Sequence, residues 1–419
     1  MKLTFAAFLF FLACTTMVAQ EYQVKQILIE GNKKTKTSFI KKLIKLKEGA
    51  VLDSVLLEND ILKLRRLDGI AHATYRVNTN ENDYTVTYEI SENFTIIPSI
   101  NLWTVNEGDV AYKIGLSDFN FLGRNITIGG FYQNNGFDGY GVNFRAPYLF
   151  SNKLGLEINH QNWTSREPLF FNNQTAQYKY SNKSFETLGT YEINFQNNLK
   201  LGINYFSEDF QYLEGATDPS VPRALKVKKW MLKANYEYNN VKYDYYFLSG
   251  IKNRTYLQFV TSENQFQNDF AIGWNDFFYY ARVGEKGNWA NRFRFGLASN
   301  EDTPFAPFSV DNNLNIRGVG NIIDRGTASL VFNTEYRHTL IEKGWFVLQG
   351  NAFVDAGTWR NPGGQLSDFW DSDNFRLFPG LGLRFIHKRI YNAIFRIDYG
   401  YGILNDDTRG IVFGIGQYF

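Results

Sequence analysis

The four histidines of this 419-residue chain, His72, His160, His338 and His387, are the first place to look for catalysis or metal binding. They lie far apart, with no H-E-x-x-H pair to set two imidazoles on one helix face, so their spacing argues against a metal site. The single cysteine, Cys14, falls in the first twenty residues, and no G-x-S-x-G supplies a nucleophile elbow. The acidic run "SDFWDSDN" (367–374) carries oxygen ligands suited to calcium, although a solvated loop is the simpler reading. These patterns predict no enzyme, no metal and no cofactor. A different residue stands out: Arg317, isolated between Ile316 and Gly318 in the stretch "NLNIRGVGN" (313–321). A loop arginine is usually solvated, so whether this one has a partner depends on the strands around it.

One carboxylate can be oriented from strand parity alone. Successive side chains of a strand point to opposite faces. On the segment 346–359, Leu348, Ala352, Val354 and Ala356 share one face. Gln349, Asn351, Phe353, Asp355 and Gly357 share the other. Asp355 of "FVDAG" is therefore on the polar side, away from the apolar stripe.

The elements that carry these residues follow from composition and periodicity. Aromatic residues make up 17% of the chain, with 35 Gly and 9 Pro, which favours many strands joined by tight turns. Net charge is +2, so no global field points to nucleic acid. Mean hydropathy is −0.33, and no apolar run beyond the N-terminus is long enough for a membrane helix. The opening "MKLTFAAFLFFLACTTMVAQ" places Lys2 before an apolar stretch and Ala19 after it, the pattern of a secretory signal peptide over residues 1–19. A lipoprotein reading of "FLAC" is disfavoured by Phe11, and cleavage after Ala19 leaves a mature chain without cysteine.

Residues 22–93 read as one small α+β domain of order β-α-α-β-β. "YQVKQILIEGN" is a strand. "TSFIKKLIKLKEG" has Phe39, Ile40, Leu43, Ile44 and Leu46 at helical spacing up to Gly49. "DSVLLENDILKLRRLDG" repeats the device, with Asp53 or Ser54 as cap and Val55, Leu56, Ile61, Leu62 and Leu64 as its stripe. "AHATYRVN" and "DYTVTYEIS" are two closing strands.

From residue 95 to 419 helical periodicity gives way to segments of alternating polarity, enough for about sixteen strands of roughly 9–11 residues. Short turns at 150–152, 196–198, 284–287, 342–344 and 387–389 alternate with connections expected to be long loops at 162–180, 209–225, 299–326 and 360–374. Alternation alone would also fit a soluble sandwich or propeller. Charge placement favours an outer-membrane barrel, because Glu335, Arg337, Arg396 and Asp398 share the polar face opposite Phe332, Tyr336, Phe395 and Ile397. The chain ends "GIVFGIGQYF", with Ile411, Phe413, Ile415 and Phe419 on one parity. A last strand of this kind resembles the recognition signal of outer-membrane barrels.

Taken together, the chain resembles the BamA/TamA family of outer-membrane insertases and translocases, in which periplasmic POTRA domains precede a sixteen-stranded barrel. The resemblance rests on Ile27–Asn32, Gly49 and the strand Tyr84–Ile90 for one POTRA domain, and on "DFNFLGRN" (118–125) and "APYLF" (146–150) in the barrel. It implies that the loop motif Arg317-Gly318 folds into the lumen to meet Phe353, Asp355 and Gly357. Val319 stands where the family prefers an aromatic. The resemblance also implies a lateral seam between the first barrel strand, with Ile97 and Ile100, and the last, with Phe413, Ile415 and Phe419. Pro98, Gly410, Gly414 and Gly416 are expected to weaken that junction. A POTRA edge strand carrying Ala73, Tyr75 and Val77 is expected to accept extended segments. The implied function is insertion or translocation of client proteins at the outer membrane of a Gram-negative bacterium. The implied partners are the lipid bilayer, unfolded outer-membrane or secreted clients, and periplasmic accessory proteins or lipoproteins. A two-partner-secretion-like transporter and a passive pore are the alternatives.

Overall fold

The computed structural model describes residues 23–80, 83–104, 110–171, 174–262, 268–301, 306–310, 315–319, 324–404 and 408–419. The expected signal peptide lies outside them. The N-terminal domain runs β1 (Gln23–Glu30), α1 (Thr37–Leu43), α2 (Ser54–Leu64), β2 (Ile70–Asn80) and β3 (Asp83–Glu92). Its sheet has the order β1-β3-β2, with β1 parallel and β2 antiparallel to the central strand. Val24, Ile27, Ile40, Leu43, Leu57, Ile61 and Leu64 pack with Tyr88 as its core.

The first helix is shorter than its apolar spacing predicts. It stops at Leu43, and Ile44 is already extended (φ −65°, ψ 143°). Ile44 and Leu46 stay buried, but by strand-like alternation. Asp60 on α2 is the cause. Its carboxylate accepts the N–H of Lys45 at 2.7 Å and of Leu46 at 3.0 Å, together with the Tyr88 hydroxyl at 3.0 Å. A buried carboxylate with three donors outweighs a few tenths of a kilocalorie of helix propensity. In the second helix Asp53 is the cap, accepting from Val55 and Leu56. Val55 is 68% exposed, because the buried stripe runs through Leu57, Ile61 and Leu64 instead.

The rest of the chain closes into an antiparallel barrel. Its strands begin with β4 (Ile96–Thr104), β5 (Val110–Phe121), β6 (Ile126–Asn134) and β7 (Asp138–Ala146). Four longer ones follow: β8 (Leu154–Phe171), β9 (Gln174–Glu192), β10 (Asn197–Gly215) and β11 (Ala224–Asn239). The three-residue β12 (Lys242–Asp244) continues β11, since both pair with β13 (Phe247–Val260). Next come β14 (Phe270–Val283) and β15 (Gly287–Ala298), then a loop bearing the small hairpin β16 (Phe308–Val310) and β17 (Asp324–Gly326). The wall ends with β18 (Ala328–Lys343), β19 (Phe346–Arg360), β20 (Phe375–His387), β21 (Ile394–Tyr401) and β22 (Arg409–Ile415). Counting β11 and β12 as one span gives sixteen. Side chains alternate as a membrane barrel requires: Phe332, Tyr336, Phe395 and Ile397 are exposed on the wall, while Asn333, Glu335, Arg337 and Asp398 are buried in the lumen.

Two of the expected loops are strand instead. Residues 162–171, 174–180, 209–215 and 224–225 extend β8–β11 well beyond their neighbours. Leu169, Ala176, Tyr178, Phe210 and Val221 form a small core at the tip of these hairpins. Hairpins carrying their own apolar cluster gain burial without the rest of the barrel, which is why the strands continue.

The N-terminal domain sits on the barrel mouth. The Arg66 guanidinium donates to the carbonyls of Phe195, Asn239 and Val241 at 2.8, 2.9 and 3.2 Å and stacks 4.0 Å from the Phe195 ring. Lys63 meets Glu192 at 2.8 Å, Asp68 pairs with Arg145, and Lys34 meets Asp118 at 2.8 Å. The end of β5 contributes Asn120, which donates to Thr35 at 2.9 Å, and the β5–β6 turn contributes Gly123, whose carbonyl accepts from Lys36 at 3.0 Å.

Candidate functional site

The loop between β15 and β18 returns residues 315–319 into the lumen, where Ile316, Arg317 and Val319 are fully buried. Close backbone approach makes this possible. Gly318 has φ +97°, and a Cβ there would meet the Gly400 backbone at 2.6 Å. A Cβ on Gly400 would in turn meet the Arg317 carbonyl oxygen at 2.1 Å. Gly357 leaves room for Ile316, whose Cδ1 would lie 2.7 Å from an added Cβ. Val319 joins Val310, Ile316, Trp359 and Phe378 in an apolar cluster.

Around that cradle the charges are arranged in layers. Arg317 donates through Nε and Nη2 to the two oxygens of Asp355, at 2.8 and 2.9 Å, and its backbone N–H adds a third bond at 2.9 Å. This is the bidentate geometry that suits guanidinium and carboxylate. Nη1 donates to Glu335, and Asp398 lies 3.7 Å away. Phe353 lies 3.6 Å and Tyr418 4.5 Å from the guanidinium, each offering a ring face. Arg337 and Arg384 share Glu335, and Arg384 also donates to Asp398 at 2.8 Å. Asn333 donates to Asp355 and to the Asn315 carbonyl, both at 2.8 Å. Arg317, Arg337, Arg384, Glu335, Asp355 and Asp398 are at most 1% exposed.

The structure thus brings Arg317, Gly318, Phe353, Asp355 and Gly357 into one site. Sequence reasoning missed Glu335, Asp398 and Tyr418 as members. The two acids were legible as lumen-facing by parity, but nothing in the sequence tied them to the loop. Tyr418 was hidden by the assumption that β22 runs to the end of the chain.

That assumption fails for the expected seam. β22 stops at Ile415, Gly416 takes φ +86°, and the chain turns inward. Phe419 is therefore not on the outer face with Phe413. It packs beside Val241, Phe278, Tyr280 and Ala290, and its carbonyl oxygen accepts from Arg337 at 3.3 Å. The remaining seam residues are split: Ile100 and Phe413 are 62% and 69% exposed, while Ile97 and Ile415 are half-buried. β22 and β4 are hydrogen-bonded neighbours and close the barrel. The flanking pairs β21–β22 and β4–β5 run over seven and nine paired positions. Below β22, Phe94 exchanges hydrogen bonds with the turn between β20 and β21: its N–H donates to Arg389 at 2.9 Å and its carbonyl accepts from Tyr391 at 3.1 Å. Gly410, expected to loosen the seam, faces Gly318, whose carbonyl oxygen would lie 3.5 Å from an added Cβ.

In the N-terminal domain β2 is one edge of the sheet. Ala73 is fully buried, and Tyr75 and Val77 pack against the core, so their side chains face inward and only backbone is offered to a partner. The Ala73 carbonyl is already taken by Arg65 at 2.9 Å. In the acidic loop, Asp368 and Asp371 cap turns within their own segment.

Residues 22–93 match the POTRA family model, described as a surface antigen variable number repeat. The chain thus joins a POTRA domain to a sixteen-stranded barrel. Among solved structures it is similar to BamA from Haemophilus ducreyi lacking POTRA domains 1–3, at 17% identity and a TM-score of 0.54, over 94% of this chain and 83% of that one. It is similar to CdiB from Acinetobacter baumannii at 12% identity and 0.59, over 94% and 74%. CdiB from Escherichia coli aligns at 12% and 0.62, over 94% and 76%. The POTRA domain is the body that caps the mouth, and the buried Arg317 cluster lies in the lumen of the barrel.

Proposed function

We propose that this protein is an outer-membrane assembly factor that inserts or translocates client proteins by strand pairing at the β4–β22 seam. The observation that carries the reading is the shortness of β22, seven residues that close the barrel against β4 before the chain turns inward at Gly416. Backbone groups without partners are costly in lipid, and an incoming strand satisfies them. The POTRA edge at β2 offers a client its backbone on the way. The setting is the outer membrane of a Gram-negative bacterium with the POTRA domain in the periplasm, and no covalent chemistry is required.

A second reading is a transporter that passes its client through the lumen, favoured by the fold similarity to CdiB. Weighing against it, and against a passive pore, the lumen holds the Arg317 loop and the 417–419 tail while the POTRA domain covers its mouth. The test is a disulfide between cysteines placed at Ile97 and Ile415. Oxidation is expected to abolish client assembly and reduction to restore it. Client assembly that is indifferent to the crosslink would sink seam pairing.

A further inference from the structure

The outer wall is apolar along most strands, and its main departure lies on β8–β11. Phe185, Tyr205 and Trp230 are register partners pointing outward, and the Tyr205 and Trp230 rings lie 4.8 Å apart. An aromatic girdle of this kind marks where a bilayer ends. One step farther from the POTRA domain on the same face, the register sets Lys183 and Lys228 on either side of Ser207. The next step adds Lys226 opposite Asp209, and the one after it Arg166 opposite Lys179. Lys183, Lys226, Lys228 and Arg166 are exposed.

The inner face of the same strands treats its lysines differently. Lys229 meets Glu208 at 2.7 Å and Lys233 pairs with Glu186. On the outer face of these extensions, among the described residues, the carboxylates are Asp209 and Glu214. Asp209 accepts from Gln211 at 3.3 Å and Glu214 lies 3.9 Å from Arg166. Positive charge is left in excess there. Lys226 and Lys228 lie two residues apart, about 7 Å, and Lys183 and Lys228 are two strand spacings apart, about 10 Å. Their apolar stems can lie along the wall with the ammonium groups above the girdle.

We propose that this patch binds phosphate-bearing lipid headgroups in the leaflet remote from the POTRA domain, with Lys183, Ser207 and Lys228 at its centre and Lys226 beside it. The proposal rests on the outer-membrane reading of the barrel. Placement argues for a lipid as occupant: the cations point out of the wall, immediately beyond the aromatic girdle, at the level where headgroups lie.

The test reconstitutes the full chain in phosphatidylcholine vesicles carrying either bisphosphorylated lipid A or the same lipid after dephosphorylation. Retained lipid is counted by native mass spectrometry. The bisphosphorylated lipid is expected to be retained about tenfold better, and the Lys183→Glu/Lys226→Glu/Lys228→Glu variant to lose that preference, whereas Lys45→Glu in the POTRA domain keeps it. Equal retention of the two lipids, unchanged retention by the triple variant, or displacement by inorganic phosphate overturns the proposal. Heat-modifiable gel mobility reports whether each barrel is folded. If the triple variant lacks it, Lys228→Ala with Ser207→Ala is the pair measured. A wild-type chain that forms no heat-modifiable barrel in vesicles overturns the membrane reading itself, a result distinct from a folded barrel without lipid preference.

Discussion

Arg317 is costly to bury and costly to strand. Removing either it or Asp355 leaves a charge uncompensated in the lumen, which is worth about 3–5 kcal/mol. Arg317→Ala and Asp355→Ala are each expected to lower the temperature at which the folded barrel loses its heat-modifiable mobility. The double variant should be little worse than either single one. Additive shifts would mean that the two residues act separately. Arg317→Lys is expected to resemble the alanine variant, because an ammonium cannot reproduce the bidentate contact with Asp355. In the POTRA domain, Glu92 accepts the N–H groups of Lys33, Lys34 and Thr35 at 2.9, 2.9 and 2.6 Å. Burial pushes its carboxyl up, but these hydrogen bonds outweigh burial and hold its pKa below the ordinary value of 4.5. A depressed carboxylate stabilises fully above the unfolded value and loses that contribution as pH falls through the folded one. The protection of the amides of residues 33–35 against exchange, relative to the intrinsic rate at each pH, should therefore fall below about pH 4.5 in the wild type. In Glu92→Gln that protection should be low at neutral pH and nearly independent of pH across that window.

At the scale of elements, the loop between β15 and β18 and the tail after β22 are coupled, because Tyr418 and Asp355 hold the same guanidinium. Deleting Tyr418 and Phe419 is expected to make the buried 315–319 segment accessible to protease while leaving the barrel wall intact. A tail that merely decorates the lumen would leave cleavage unchanged. Gly400→Val is expected to give the same loop release without touching any charge, since its Cβ would strike the Arg317 carbonyl. The helix that ends early at Leu43 and the loops that became strand share one lesson. Periodicity marked Ile44 and Leu46 as buried, whereas hydrogen bonds from Asp60 and the tip cluster around Tyr178 decided where each element stops.

For the whole molecule, the POTRA domain on the barrel mouth separates the two transport routes. A reducible bis-methanethiosulfonate crosslink between cysteines at Lys63 and Glu192, spanning the gap now closed by their ion pair at 2.8 Å, would fix the domain on the mouth. Clients inserted through the seam should still assemble, whereas clients passed through the lumen should stall. Measuring assembly of one client with and without reductant distinguishes the outcomes.

By itself the sequence determined the division into a β-α-α-β-β domain and a barrel of about sixteen strands, because burial imposes a period on each segment. It also placed Asp355, Glu335 and Asp398 on the lumen side, since parity is a local property of a strand. The tertiary structure alone decided that Arg317 reaches all three acids, that Gly400 and Gly410 pass beneath its loop, and that the chain turns inward at Gly416. Those contacts join segments far apart in the chain, and local periodicity carries no information about which distant backbone a glycine must let through.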